Sequence, residues 1–192
     1  MEKNKVIFVL GGPGSGKSTL CNRLEQELDY AHIKTGDFLR NIVKEQKHPK
    51  WKELKYELDN GLPVPSKDYF GPLKNAVLTC KKKVMLVDGF PREFENQESW
   101  DEIIGDKVDV VGLLYCECSN EKMLNRIMGR NEHRSDDSKD IAQKRINDFF
   151  GETLDIIKEY EKKGKLIKVN SNQDKDELFK EAVNKIKDFL SK

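Results

Sequence analysis

The chain has 192 residues, enough for one sizeable core and a small insertion. Its 35 Lys and Arg residues nearly balance 34 Asp and Glu, for a net charge of +1, and they are dispersed along the chain. This excludes a basic nucleic-acid arm or an acidic tail, and no stretch is long and apolar enough to suggest a membrane span. The run Lys81-Lys82-Lys83 lacks interleaved aromatic residues and reads as a solvated turn. Cysteines stand at 21, 80, 116 and 118; the Cys116-x-Cys118 spacing is too tight for structural zinc, so free thiols of a reducing compartment are expected. The first five residues lead straight into an apolar run too short for a signal peptide, which points to a cytoplasmic protein.

In chain order, the first element is a strand at 5–10, carried by Val6-Ile7-Phe8-Val9-Leu10. Directly after it comes Gly11-Gly12-Pro13-Gly14-Ser15-Gly16-Lys17-Ser18, the Gly-x4-Gly-Lys-Ser/Thr phosphate loop in its strand-then-helix setting. Its glycines let backbone N–H groups turn inward as an anion nest at a helix N-terminus. Lys17 is placed to reach the β/γ-phosphates and Ser18 a magnesium ion, so the chain is expected to bind a nucleoside polyphosphate. Leu20, Leu24 and Leu28 then repeat every four residues as the buried face of a helix. A short strand is expected at 32–34, followed over 37–79 by helical pieces interrupted at Gly61-Leu62-Pro63-Val64-Pro65.

Strands are expected again at 84–87, 108–116 and 166–170, each continuous and rich in Val, Ile or Leu. Ser138 reads as the N-cap of a helical stripe through Ile141, Ile146, Phe149, Phe150, Leu154, Ile157 and Tyr160, ending at Gly164. A last stripe runs Leu178, Phe179, Ala182, Val183, Ile186, Phe189 and Leu190. Short apolar runs alternating with amphipathic stretches predict an α/β protein with a mostly parallel sheet between helices.

Asp88 closes the third apolar run, so it belongs at the carboxyl end of a buried strand, the edge where such sheets bind ligands. There it can hold magnesium or its waters beside the phosphate loop, or cap the next helix. The segment Asp88-Gly89-Phe90-Pro91-Arg92 resembles the nucleoside monophosphate kinase family, the adenylate and UMP-CMP kinases. So do His32-Ile33-Lys34-Thr35-Gly36-Asp37-Phe38-Leu39-Arg40, the Gly61 to Pro65 stretch, Arg126-Ile127-Met128-Gly129-Arg130, Arg134-Ser135-Asp136-Asp137 and Arg145, in the family's order along nearly the whole chain. The resemblance implies a three-layer P-loop kinase fold with a five-stranded parallel sheet and a core of 1–34, 80–129 and 138–192. It also implies a monophosphate-binding insertion over 35–79 and a short lid over 130–137.

It further implies transfer of the γ-phosphoryl group of ATP, with Mg2+, to a nucleoside monophosphate. Phosphoryl transfer rests largely on positioning and cationic clamping, a task suited to the planar, permanently charged guanidinium. By resemblance, Gly12, Pro13, Gly14, Ser15, Gly16, Lys17, Ser18 and Thr19 cradle the ATP phosphates, and Arg126 stacks on its base. Arg130 meets those phosphates, main-chain groups near Asn172 and Gln173 hold the adenine, and Ser18 and Asp88 hold the metal. Arg40 and Arg92 grip the acceptor phosphate, Arg134 and Arg145 bridge the transferring group, and Thr35, Val64, Gly89, Phe90 and Asn96 complete the acceptor pocket. His133, in the lid, is expected to be a bystander. Asn96, Trp100 and the Arg-Ser-Asp-Asp spelling lean to UMP or CMP, while Thr35 matches adenylate kinases and keeps AMP as the alternative. Lys34, where the family commonly has Ser, is expected to add a charge near the acceptor pocket. Other readings are a small-metabolite kinase or a catalytically dead nucleotide-binding scaffold. The expected partners are small-molecule nucleotides, with no nucleic acid and no membrane, and the chain is expected to act as a monomer.

Overall fold

The structure, a computed structural model, describes residues 3–62, 64–129 and 138–191. Residues 130–137, expected to form the lid and including Arg130, His133 and Arg134, lie outside the described residues, as does Pro63. Five strands form one parallel sheet: β1 (Lys5–Leu10), β2 (Ala31–Lys34), β3 (Val84–Asp88), β4 (Asp109–Glu117) and β5 (Leu166–Asn170), in the order β2-β3-β1-β4-β5. Each expected strand is present within a residue of its expected ends. The reason is visible on β1, where Val6, Phe8 and Leu10 enter one helical layer while Ile7 and Val9 enter the other. A strand buried on both faces must be apolar throughout.

One face is covered by α1 (Lys17–Leu28) and α9 (Lys175–Leu190), which bury Leu20, Leu24, Leu178 and Ile186. The other is covered by α4 (Phe70–Thr79), α5 (Phe94–Ile103) and α8 (Leu154–Lys162), around an aromatic centre of Phe8, Phe90 and Trp100. Phe8 meets Trp100 edge-on at 4.9 Å between ring centroids. Two helices, α2 (Thr35–Glu45) and α3 (Trp51–Asp59), fill the gap between β2 and α4; α4 itself packs Phe70, Leu73 and Val77 into the central core. A smaller cluster joins α6 (Asn120–Met128) to α7 (Lys139–Asp148) through Met123, Ile127, Ala142 and Ile146.

The stripe expected as one helix from Ser138 to Gly164 is instead three pieces. Ser138 caps α7 by accepting from the Ile141 N–H at 3.4 Å. The chain then widens into a π-helical turn, Phe149–Thr153, before α8 begins. The wider turn re-phases the helix so that Thr153 is buried ahead of Ile156 and Ile157. Such insertions concentrate at functional sites, and this one delivers Phe149 and Thr153 to a cleft wall.

Candidate active site

The register places the site. Val9 pairs with Asp88 and Lys34 pairs with Asp88, so the carboxyl ends of β1, β2 and β3 lie side by side, directly below the phosphate loop. The loop's shape depends on its glycines. Gly14 and Gly16 have φ of 78° and 88°, the left-handed region that side chains avoid. A Cβ on Gly14 would stand 2.4 Å from the Met123 carbonyl oxygen, and one on Gly12 would stand 2.5 Å from the Met123 Sδ. The loop therefore rests against α6. Gly16 is the N-cap of α1, so the helix opens on the loop's N–H groups with no side-chain cap competing for them.

Lys17 Nζ folds back to donate to the Gly12 carbonyl oxygen at 3.4 Å. Withdrawal from water lowers the Lys17 ammonium pKa; Asp88 opposes that shift, and the positive charges of Arg92 and Arg145 add to it. Asp88 is 5 % exposed. Burial pushes its carboxyl pKa up, but the His32 hydrogen bond, the Lys17 charge and the Ser18 hydroxyl outweigh burial and hold it below the ordinary carboxylate value. Ser18 Oγ donates to Asp88 Oδ2 at 2.5 Å, and His32 Nε2 lies 3.1 Å from the same oxygen. Cys21 lies close to this pair, and burial drives its thiol pKa well up, so it remains a neutral neighbour. All four cysteines are free thiols.

One cleft runs from the phosphate loop across the ends of β2 and β3, and it gathers residues from distant parts of the chain. Pro13 and Lys17 line it from the loop, Thr35 and Arg40 from α2, and Val64 from the insertion. Gly89, Arg92 and Asn96 line it after β3, and Arg145 from α7. Arg92 Nε donates to the Gly89 carbonyl oxygen at 3.2 Å, which fixes its stem against the cleft floor. The Arg40 guanidinium is held by Asp37 over Gly36. Thr35 Oγ1 donates to the Asp88 carbonyl oxygen at 2.8 Å, so that proton is committed to the main chain. Asn96 sits at the third position of α5, where its Oδ1 accepts from the N–H groups of Arg92 (3.0 Å) and Glu93 (3.3 Å) in a capping box. Its carbonyl is thus committed to the helix end, and its Nδ2–H2 is the half left for the cleft.

A second groove on the far side of the loop is walled by Gly14, Gly16, Thr19, Arg126 and Gln173. Arg126 donates from an Nη to the Ser15 carbonyl oxygen at 3.2 Å, reaching over the loop from α6. Ser15 is fully buried, and its Oγ has no partner among the described residues.

Phe90, Lys34 and Asp88 depart from expectation. The Phe90 side chain does not face the acceptor; it is fully buried in the aromatic centre, because the residue after the Gly89 turn points back into the core. Lys34 does not line the cleft, because β2 turns Ile33 and Lys34 to opposite faces and Lys34 lies on the α1 side, where its charge acts on Cys21. The Asn172 carbonyl, expected near the donor base, accepts from Lys122 Nζ and keeps a second lone pair. Asp88 does not cap α5 either; Glu93 does. Two residues passed over in the sequence matter here. His32 supports Asp88 from the strand face opposite Ile33, and Tyr69 lines the cleft from the start of α4. A period-two reading of β2 could have placed His32, whereas no local pattern marks Tyr69.

A glycine loop on a parallel sheet, a lysine and a buried carboxylate beside it, and arginines across the same cleft define a phosphate-loop phosphotransferase. Residues 9–165 match the family model described as adenylate kinase, and the chain belongs to that family of nucleoside monophosphate kinases. A UMP-CMP kinase of Xenopus laevis is 35% identical over 95% of this chain and 98% of its own length. The human UMP-CMP kinase is 36% identical over 94% of this chain and 96% of its own length, and UMP-CMP kinase 1 of rice is 36% identical over 94% and 73%. No helix among the described residues is long and apolar enough to cross a membrane.

Proposed function

We propose that this kinase passes the γ-phosphoryl group of Mg-ATP to UMP or CMP, giving ADP and the nucleoside diphosphate. The observation that carries the reading is the single cleft with Lys17 and the phosphate loop at one end and Arg40, Arg92 and Asn96 at the other. Two nucleotides meeting tip to tip there would place the migrating group among Lys17, Arg92 and Arg145, whose charges offset what develops in transfer. Arg130 and Arg134 complete this clamp in the proposed assignment. The Ser18 hydroxyl and Asp88 carboxylate form an oxygen-only pair, and the carboxylate stays ionised, which suits the hard Mg2+ ion. When bound, the ion supplies charge neutralisation on the phosphates. Arg126 and Gln173 would hold the adenine end of ATP in the outer groove, with Gly14, Gly16 and Thr19 at its phosphate end.

The pyrimidine preference draws on the names of the relatives. Asn96 offers donors alone, which match acceptor atoms of cytosine and uracil and equally adenine N1. Thr35 has committed its proton to the Asp88 carbonyl and is left an acceptor, which suits the amino group of cytosine or adenine alike. A coupled assay with ATP and each of CMP, UMP, dCMP and AMP tests the reading. CMP or UMP should have the highest kcat/KM; higher values for AMP would reverse the substrate assignment, and turnover of none of the four would end it.

A further inference from the structure

We propose that Tyr69 is a specificity-determining residue that limits the acceptor end of the cleft to bases with a single ring. The proposal rests on the reading of that end as the acceptor site. Tyr69 precedes α4, and its carbonyl oxygen accepts the helix's first bond, from the Leu73 N–H at 3.2 Å. Its side chain lines the cleft together with Leu39, Leu58, Val64 and Asn96, the apolar and amide surfaces a base would meet. Arg92 and Glu93 are its charged neighbours, which sets it between the phosphate-gripping and base-reading parts of the wall.

The decisive property is burial. Tyr69 is 4 % exposed and belongs to the same apolar cluster as Phe70, Leu73 and Phe90. A surface tyrosine could swing aside for a larger ligand. This one is fixed in close-packed surroundings, and rotating it out would open the core. Its volume is therefore a fixed subtraction from the site. On this proposal a single-ring base is accommodated beside it, while the second fused ring of a purine would have to compete for the space it occupies. Steric rejection by an apolar wall typically gives about 10- to 200-fold discrimination.

The test compares kcat/KM for AMP and for CMP in the full chain and in Tyr69→Val, Tyr69→Leu and Tyr69→Phe. The wild-type chain should favour CMP by at least tenfold. Val and Leu should narrow that ratio by tenfold or more through a lower KM for AMP, with KM for ATP unchanged. Phe keeps the ring and should keep the wild-type ratio. Should Val fail to fold, Leu and the wild-type comparison still decide the matter. Equal wild-type use of AMP and CMP overturns the proposal, as does an unchanged ratio in the folded small-residue variants. A ratio shifted by Phe alone overturns it as well, because the hydroxyl would then be the selector. A wild-type chain that phosphorylates neither acceptor refutes the kinase substrate assignment instead, so the two failures are distinguishable.

Discussion

In the proposed assignment Asn96 performs two tasks with the two halves of one amide, and Asn96→Asp separates them. The aspartate keeps an oxygen for the Arg92 and Glu93 N–H groups, now 3.0 and 3.3 Å from Oδ1. Its negative charge in the first turn of α5 adds about 0.3–1 kcal/mol of favourable helix-dipole interaction. Desolvation of the new charge at this buried position opposes that gain, so stability should fall, though by less than on losing the cap outright. The donor face toward the cleft is lost, and an acceptor atom of the base is left unmatched at a site only 6 % exposed. That costs about 1–3 kcal/mol, or roughly 5- to 150-fold in kcat/KM for CMP or UMP. Asn96→Ala loses both tasks: it should match the catalytic defect and also lower Tm by roughly 2–4 °C through the lost cap. The checks are a coupled assay against acceptor concentration and a thermal melt followed by circular dichroism. An Asn96→Asp protein with wild-type KM for the acceptor would refute base reading by Nδ2, and one melting as low as Asn96→Ala would refute the cap.

Lys17→Met should lower kcat by roughly 100-fold or more, as removal of one preorganised charge stabiliser does, with a cooperative melt retained; rates near wild type would remove Lys17 from the phosphate site. The Asp88 carboxyl pKa is depressed on folding. Its stabilisation is therefore complete above the unfolded carboxylate value of about 3.9 and is lost as pH falls from there through the lower folded value. Asp88→Asn should accordingly lose less stability than wild type when urea melts at pH 6 and pH 3 are compared, and an equal loss would contradict the assignment. Gly14→Ala combines a φ of 78° with a Cβ 2.4 Å from the Met123 carbonyl. It should lower Tm by roughly 3–8 °C, and an unchanged melt would mean the loop is free to move off α6.

Strands and phosphate loop were readable because their causes are local. A strand buried on both sides must be apolar at consecutive positions, and the loop needs glycines at fixed offsets from Lys17. Asp88 was readable because it ends such a strand. The orientation of the residues around it was not. Phe90 looks like a pocket residue in the line of sequence, yet the turn at Gly89 sends it inward. Lys34 lost its expected place to strand alternation, and the continuous apolar stripe after Ser138 conceals the π-helical turn, since one extra residue barely disturbs an amphipathic pattern. Tyr69 needed the fold itself, because its neighbours Arg92 and Glu93 come from another segment.

The seat of the glycine loop on Met123 ties together two positions more than a hundred residues apart in the chain. Enlargement at residue 12 obliges the flexible Met123 side chain to swing aside, whereas at residue 14 the obstacle is the Met123 main chain, which has no such freedom. The floor of the glycine loop is thus set by the helix that precedes residues 130–137, and repacking that helix would shift the loop without changing its own sequence.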